Sequence, residues 1–183
     1  MTLSYQTEIN GVPTNFIEKI WRSLLNTDSN LIYTYWDKLY NFETHYSHDL
    51  ALQKWHRMPD GILNKHGEYT PKDHTIREDK KNRFKPGTIL HSKIWTGTPY
   101  RSNTFQFAPI IKCVSTQKIE IKYTDPDGFK LTLPIIYIDD VWIPGDDVSE
   151  LAARDGFNSV LEFYNYFNKD YTGKIIHWTN KKY

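Results

Sequence analysis

At 183 residues the chain has the length of one domain, or of one domain carrying a substantial insertion, and a repeat array is not expected. A composition of 39% hydrophobic, 25% charged and 15% aromatic residues supports a packed core rather than disorder. A formal charge of +1 provides no overall field for holding nucleic acid indiscriminately, and the single cysteine, Cys113, excludes an intramolecular disulfide and a thiolate-rich metal site.

The predicted elements begin with residues 14–25, where Phe16, Ile17, Ile20, Trp21, Leu24 and Leu25 form an apolar stripe opposite Glu18, Lys19, Arg22 and Ser23. This spacing predicts an amphipathic helix with Thr14 as its N-cap. Residues 29–41 repeat the spacing behind Asp28 and Ser29 and predict a second helix. From about Tyr46 to Asp73 the pattern breaks into turn-rich pieces, with at most a short helix at residues 49–55. Beyond Pro86 and Gly87 the period becomes 2, with Leu90, Ser92 and Ile94 on one side and Ile89, His91, Lys93 and Trp95 on the other. KIEIKY, the turn TDPDG and FKLTL predict a hairpin, and IIYID and KIIHWT two further strands. Capping-box spacings at Asp147/Glu150 and Ser159/Glu162 predict two short helices, and Cys113 is expected in a strand. This order suggests an α+β domain built on a small, mostly antiparallel barrel.

Charge is unevenly spread. Residues 72–101 carry eight Lys and Arg against three Asp and Glu, whereas residues 125–155 carry eight acids against two bases. Such asymmetry either marks one face for an anionic ligand or is neutralised within the fold. No stretch approaches the roughly 18 apolar residues that cross a bilayer, and the opening MTLSYQTEIN lacks a secretory pattern, so a cytoplasmic chain without membrane association is expected. His45, His48, Asp49 and His56 form the one metal-like grouping, with spacing too weak to predict a metal, and no cofactor is expected.

Phe16-Ile17-Glu18-Lys19-Ile20, Lys72-x-x-Thr75-Ile76-Arg77, Lys85-Pro86-Gly87, Glu150 through Phe157 and Gly173 through Trp178 occur in the order seen in the ASCH domains of the PUA-like superfamily, which this chain resembles over about 120 residues. The long form also looks like uncharacterised proteins of phages and mobile elements. Residues 26–71 stand where family members join the first helix directly to K-x-x-T, so the resemblance implies a PUA-like barrel with flanking helices and a helical insertion at 26–71. It also implies binding of RNA, single-stranded nucleic acid or a nucleoside. By analogy with the small amidohydrolases of the group that act on N4-acetylcytidine, the lysine falls on Lys72, the threonine on Thr75 and the acid, shortened by one methylene, on Asp155.

In that chemistry a base activates the threonine hydroxyl, which requires Lys72 to be buried, and Asp155 orients water or the leaving amine. A binding-only alternative uses Arg77, Lys81, Arg83, Lys85 and Arg101 on phosphates, with Trp95, Tyr100, Phe105 or Phe107 stacking on a base. Trp95 shares its strand face with His91 and Lys93 and is the aromatic most expected to be exposed. A third alternative is a protein partner bound by residues 26–71, with Tyr33, Tyr35, Trp36, Tyr40, Tyr46 and Trp55 as anchors.

Overall fold

The computed structural model describes residues 1–9, 11–46, 55 and 69–183. The expected short helix at 49–55, apart from Trp55, lies outside the described residues, as do His48, Asp49 and His56. The chain divides into two compact units, each assembled from two segments: Met1–Lys72 with Ile89–Ile111, and Asp73–Thr88 with Lys112–Tyr183. The architecture is α+β.

The first unit opens with β1 (Thr2–Tyr5), a strand that the sequence patterns did not single out, followed by the two-residue hairpin β2 (Glu8–Ile9) and β3 (Val12–Pro13). Helix α1 (Phe16–Thr27) follows. Asn15, not Thr14, takes the cap position, in the left-handed region (φ 51°), yet the Thr14 hydroxyl accepts the N–H of Phe16, the first residue of the helix, at 3.4 Å while donating to the Gln6 carbonyl at 2.8 Å. The apolar stripe is buried as expected, but Glu18, Lys19, Arg22 and Ser23 are buried too, so both faces of α1 are covered. After a 3-10 turn capped by Asp28 comes α2 (Ile32–His45), starting three residues later than the caps implied.

A parallel pairing of β1 with β5 (Ile89–Trp95) sets Tyr5 opposite Ile94, and β6 (Thr104–Gln106) lies antiparallel on the other edge of β5. Leu90, Ser92 and Ile94, one side of the predicted alternation, are fully buried. Aromatic rings knit this unit together. Trp21 meets Tyr35 edge-on at 5.3 Å and donates its indole N–H to the Phe107 carbonyl at 3.1 Å, while Trp55 packs on Tyr35, Phe42 and Phe107.

The chain leaves this unit through β7 (Ile111–Lys112). The second unit is a five-stranded sheet in which every neighbour is antiparallel, in the order β10 (Val141–Trp142), β9 (Lys130–Ile138), β8 (Ser115–Thr124), β11 (Tyr171–His177), β4 (His74–Arg77). Its path has two ends, as does that of the β1–β5–β6 sheet, so neither closes into the expected barrel.

Helices α3 (Gly145–Arg154) and α4 (Val160–Tyr166) contribute Val148, Leu151 and Phe163 to a core shared with Ile119, Ile121, Ile136, Ile138 and Ile175. FKLTL and IIYID prove to be one strand, interrupted where residues 131–134 stand opposite Tyr123 alone. Leu133 within that bulge and Phe129 before it are exposed, while Leu131 is half-buried. The Ser159 hydroxyl caps Glu162 as predicted, but α3 starts at Gly145, and Glu150 is committed to ion pairs rather than to a capping box. Cys113 is buried between strands, not within one. No helix among the described residues is long and apolar enough to cross a membrane.

Candidate functional site

The K-x-x-T segment straddles the boundary between the units. Lys72 closes the first segment of unit one, where its backbone N–H donates to the Lys19 carbonyl of α1 at 3.0 Å and its ammonium sits 4.9 Å from the centre of the Phe16 ring. Only 1% of Lys72 is exposed, which meets the burial condition derived from the sequence.

Thr75 and Asp155 belong to unit two. Thr75 is buried in β4 opposite Ile176 of β11. Asp155 ends α3, and its carboxylate accepts the N–H of Ile76, the residue after Thr75, at 3.2 Å. The carboxylate and the threonine are thus tied to the same short strand.

Asp73, buried beside them in the chain, donates its N–H to the Arg154 carbonyl at 2.9 Å, and its carboxylate pairs with the Arg154 guanidinium. Arg154 also meets Glu150 at 2.9 Å, and Glu150 meets Lys181 at 2.7 Å. The two cations hold the Glu150 carboxyl below the usual carboxylate range. Sequence reasoning missed this chain of charges because its bonded partners lie as many as 81 positions apart.

A second polar row crosses the same sheet. Ser115, His177 and His74 stand in register on β8, β11 and β4, and all three are buried. Tyr183 lays its ring 5.5 Å from His74 and 6.2 Å from His177, while its backbone N–H and carbonyl both bond the Gln117 side chain, at 2.9 and 2.7 Å. Among the described residues neither His177 ring nitrogen has a hydrogen-bond partner. Burial, reinforced by the charge of Lys182 and opposed by Asp139, lowers the His177 pKa to about 4. His177 is therefore neutral in the folded protein at ordinary pH.

The basic turn after β4 is rigidly built. The Asp79 carboxylate accepts the N–H groups of Arg83 (2.8 Å) and Phe84 (2.9 Å) and pairs with Lys174 at 3.1 Å. The Lys174 ammonium also bonds Asn82 and the Phe84 carbonyl. Burial pushes the Asp79 carboxyl up, but these bonds outweigh it and hold the group below its ordinary range. Phe84 is buried as the anchor, and Gly87 takes the left-handed conformation (φ 84°) while its N–H bonds the Cys113 carbonyl at 2.8 Å. Lys80, Lys81, Arg83 and Lys85 point into solvent from this scaffold. Lys81 and Lys85 make no ion pair among the described residues. Arg77, half-buried, ends β4 opposite Lys174.

The remaining candidates lie in unit one. Arg101 is exposed, and Trp95 is half-buried with the exposed Tyr100 ring leaning on it at 5.2 Å. Phe107 is core, and Phe105 packs on Phe42 at 4.9 Å, so neither is an open stacking platform. Of the proposed protein-binding anchors, Tyr35 and Trp55 are buried in the aromatic core, while Tyr33, Trp36 and Tyr40 are exposed along one side of α2. His45 is exposed and bonds the Asn41 carbonyl. No group of three or more metal-ligating side chains occurs among the described residues.

Comparison of the chain with family models, curated proteins and solved structures finds no match.

Proposed function

We propose that the protein binds nucleic acid or a nucleotide through the turn at residues 78–88, with RNA the favoured ligand, as a member of the PUA-like group that its motif order resembles. The observation that carries this reading is the stapled basic turn. Asp79 and Lys174 satisfy its backbone and one another internally, so Lys81 and Lys85 are displayed without an ion pair among the described residues and the exposed Arg83 guanidinium lies only 4.0 Å from the Asp79 carboxylate. A preformed turn contacts phosphates without the ordering cost that a floppy loop incurs. Arg77 extends the positive edge along β4. Arg83→Ala and Lys85→Ala are each expected to weaken binding of a single-stranded oligoribonucleotide, and Asp79→Ala to weaken it by loosening the turn while leaving every cation in place. Equal affinity in all three variants would reject the turn as the contact.

The bond that ties the buried Asp155 to the strand of the buried Thr75 supports a second reading, an amidohydrolase acting on an N4-acylated cytidine. In it Thr75 is the nucleophile, Lys72 its base and Asp155 the group that orients water or the leaving amine. Turnover of N4-acetylcytidine that disappears in Lys72→Ala is the expected result; no turnover by the unaltered protein removes this reading.

A further inference from the structure

A hollow of about 210 Å³ lies within unit one, lined on one side by residues 5–8 and on the other by Trp95, Gly97 and Pro99. It forms where the parallel strands β1 and β5 end. Both walls are fixed. Thr14 donates its hydroxyl to the Gln6 carbonyl (2.8 Å) and its N–H to the Thr7 carbonyl (3.0 Å), tying down the segment that leaves β1. The opposite loop is closed by the Thr96 N–H on the Asn103 carbonyl at 3.0 Å and by the Gly97 N–H on the Ser102 hydroxyl at 2.9 Å. The Tyr100 ring braces the indole from within this loop.

Among the described lining residues Glu8 carries the one charge, and none is a lysine or arginine. An indole and a carboxylate side chain that line one hollow, with no described cation among its walls, attract a cation and repel a phosphate. The volume falls below the roughly 300 Å³ at which pockets for drug-sized ligands begin, so it accommodates a head group rather than a whole molecule. A guanidinium fits this chemistry better than an ammonium, because it is flat, weakly hydrated, stacks on an indole and meets a carboxylate through paired N–H groups. We propose that this hollow binds a guanidinium group, stacked on Trp95 and paired with Glu8. The site is independent of the basic turn and of the nucleic-acid reading.

The test follows the Trp95 indole N–H by NMR in the full chain, its resonance identified through Trp95→Phe, during titration with four probes: N-acetyl-arginine amide, free arginine, the neutral isostere N-acetyl-citrulline amide, and guanosine. The arginine amide is expected to shift the resonance saturably, and the citrulline amide to bind about tenfold more weakly. In Glu8→Gln, which changes charge but not shape, the arginine amide is expected to lose affinity by a similar factor. Tighter binding of the amide than of free arginine identifies a peptide arginine as the source, and the reverse order identifies a small molecule; both support the guanidinium. Equal binding of arginine and citrulline amides, unchanged affinity in Glu8→Gln, a site that takes guanosine but neither arginine probe, or no saturable shift with any probe would overturn it.

Discussion

His177 is the residue whose burial has the plainest consequence in solution. Its ring is fully buried, and the groups around it are His74 on β4, Ser115 on β8, Tyr183, Lys182 and Asp139. Burial first, and then the Lys182 charge, pull its pKa down from 6.5 to about 4, so between those values the unfolded chain takes up a proton that the folded chain refuses. Stability from this group is therefore complete above pH 6.5 and is lost as pH falls toward 4, by about 3 kcal/mol in total. Asp79 acts elsewhere on the pH scale: its lowered carboxyl keeps the basic turn stapled until the pH drops below the usual carboxylate range. Thermal melts between pH 7.5 and 4.5 should show a falling midpoint in the unaltered protein and a flatter profile in His177→Phe. A variant profile parallel to the original would assign the acid sensitivity to other groups.

Among the elements, the pairing of β4 with β11 positions Thr75 and leads into the basic turn. Gly173 makes that pairing possible. A Cβ at this position would lie 2.7 Å from the Arg77 carbonyl oxygen and equally close to the Tyr171 ring, and the first of these is backbone that cannot swing aside. Gly173→Ala is expected to cost about 1–3 kcal/mol by forcing the strands apart at Arg77, measurable as a lower denaturant midpoint. An alanine variant as stable as the original would show that the strands have slack there. The same reasoning explains the glycine at the head of the Gly-Lys-Ile-Ile-His-Trp motif, which the sequence displayed without a reason.

For the whole molecule, the formal charge of +1 conceals the two opposed segments, and the structure shows that part of the positive one is spent locally. Lys80 pairs with Glu78, and Asp79 lies 4.0 Å from Arg83, leaving a compact set of exposed cations rather than a continuous track. With Lys81, Arg83 and Lys85 as the phosphate contacts, the logarithm of affinity for single-stranded RNA should fall against the logarithm of salt with a slope of about −2. A slope steeper than about −6 would require an extended basic surface and would contradict a localised site.

How much was legible in the sequence follows from the range of the forces involved. Alternation along residues 89–95 and 118–123, the apolar stripe of α1 and the cap at Ser159 are set by neighbours a few positions apart, and each appears in the structure where periodicity put it. The parallel partnership of β1 with β5, the bond from Asp155 to the amide beside Thr75, the Asp79–Lys174 staple and the buried row across β8, β11 and β4 join residues 79 to 103 positions apart or by strand register alone. Those depend on which strands pair, and only the tertiary structure decided that. The open sheets in place of a closed barrel have the same cause: local pattern specifies that strands exist, whereas closure depends on the hydrogen-bonding needs of their edges.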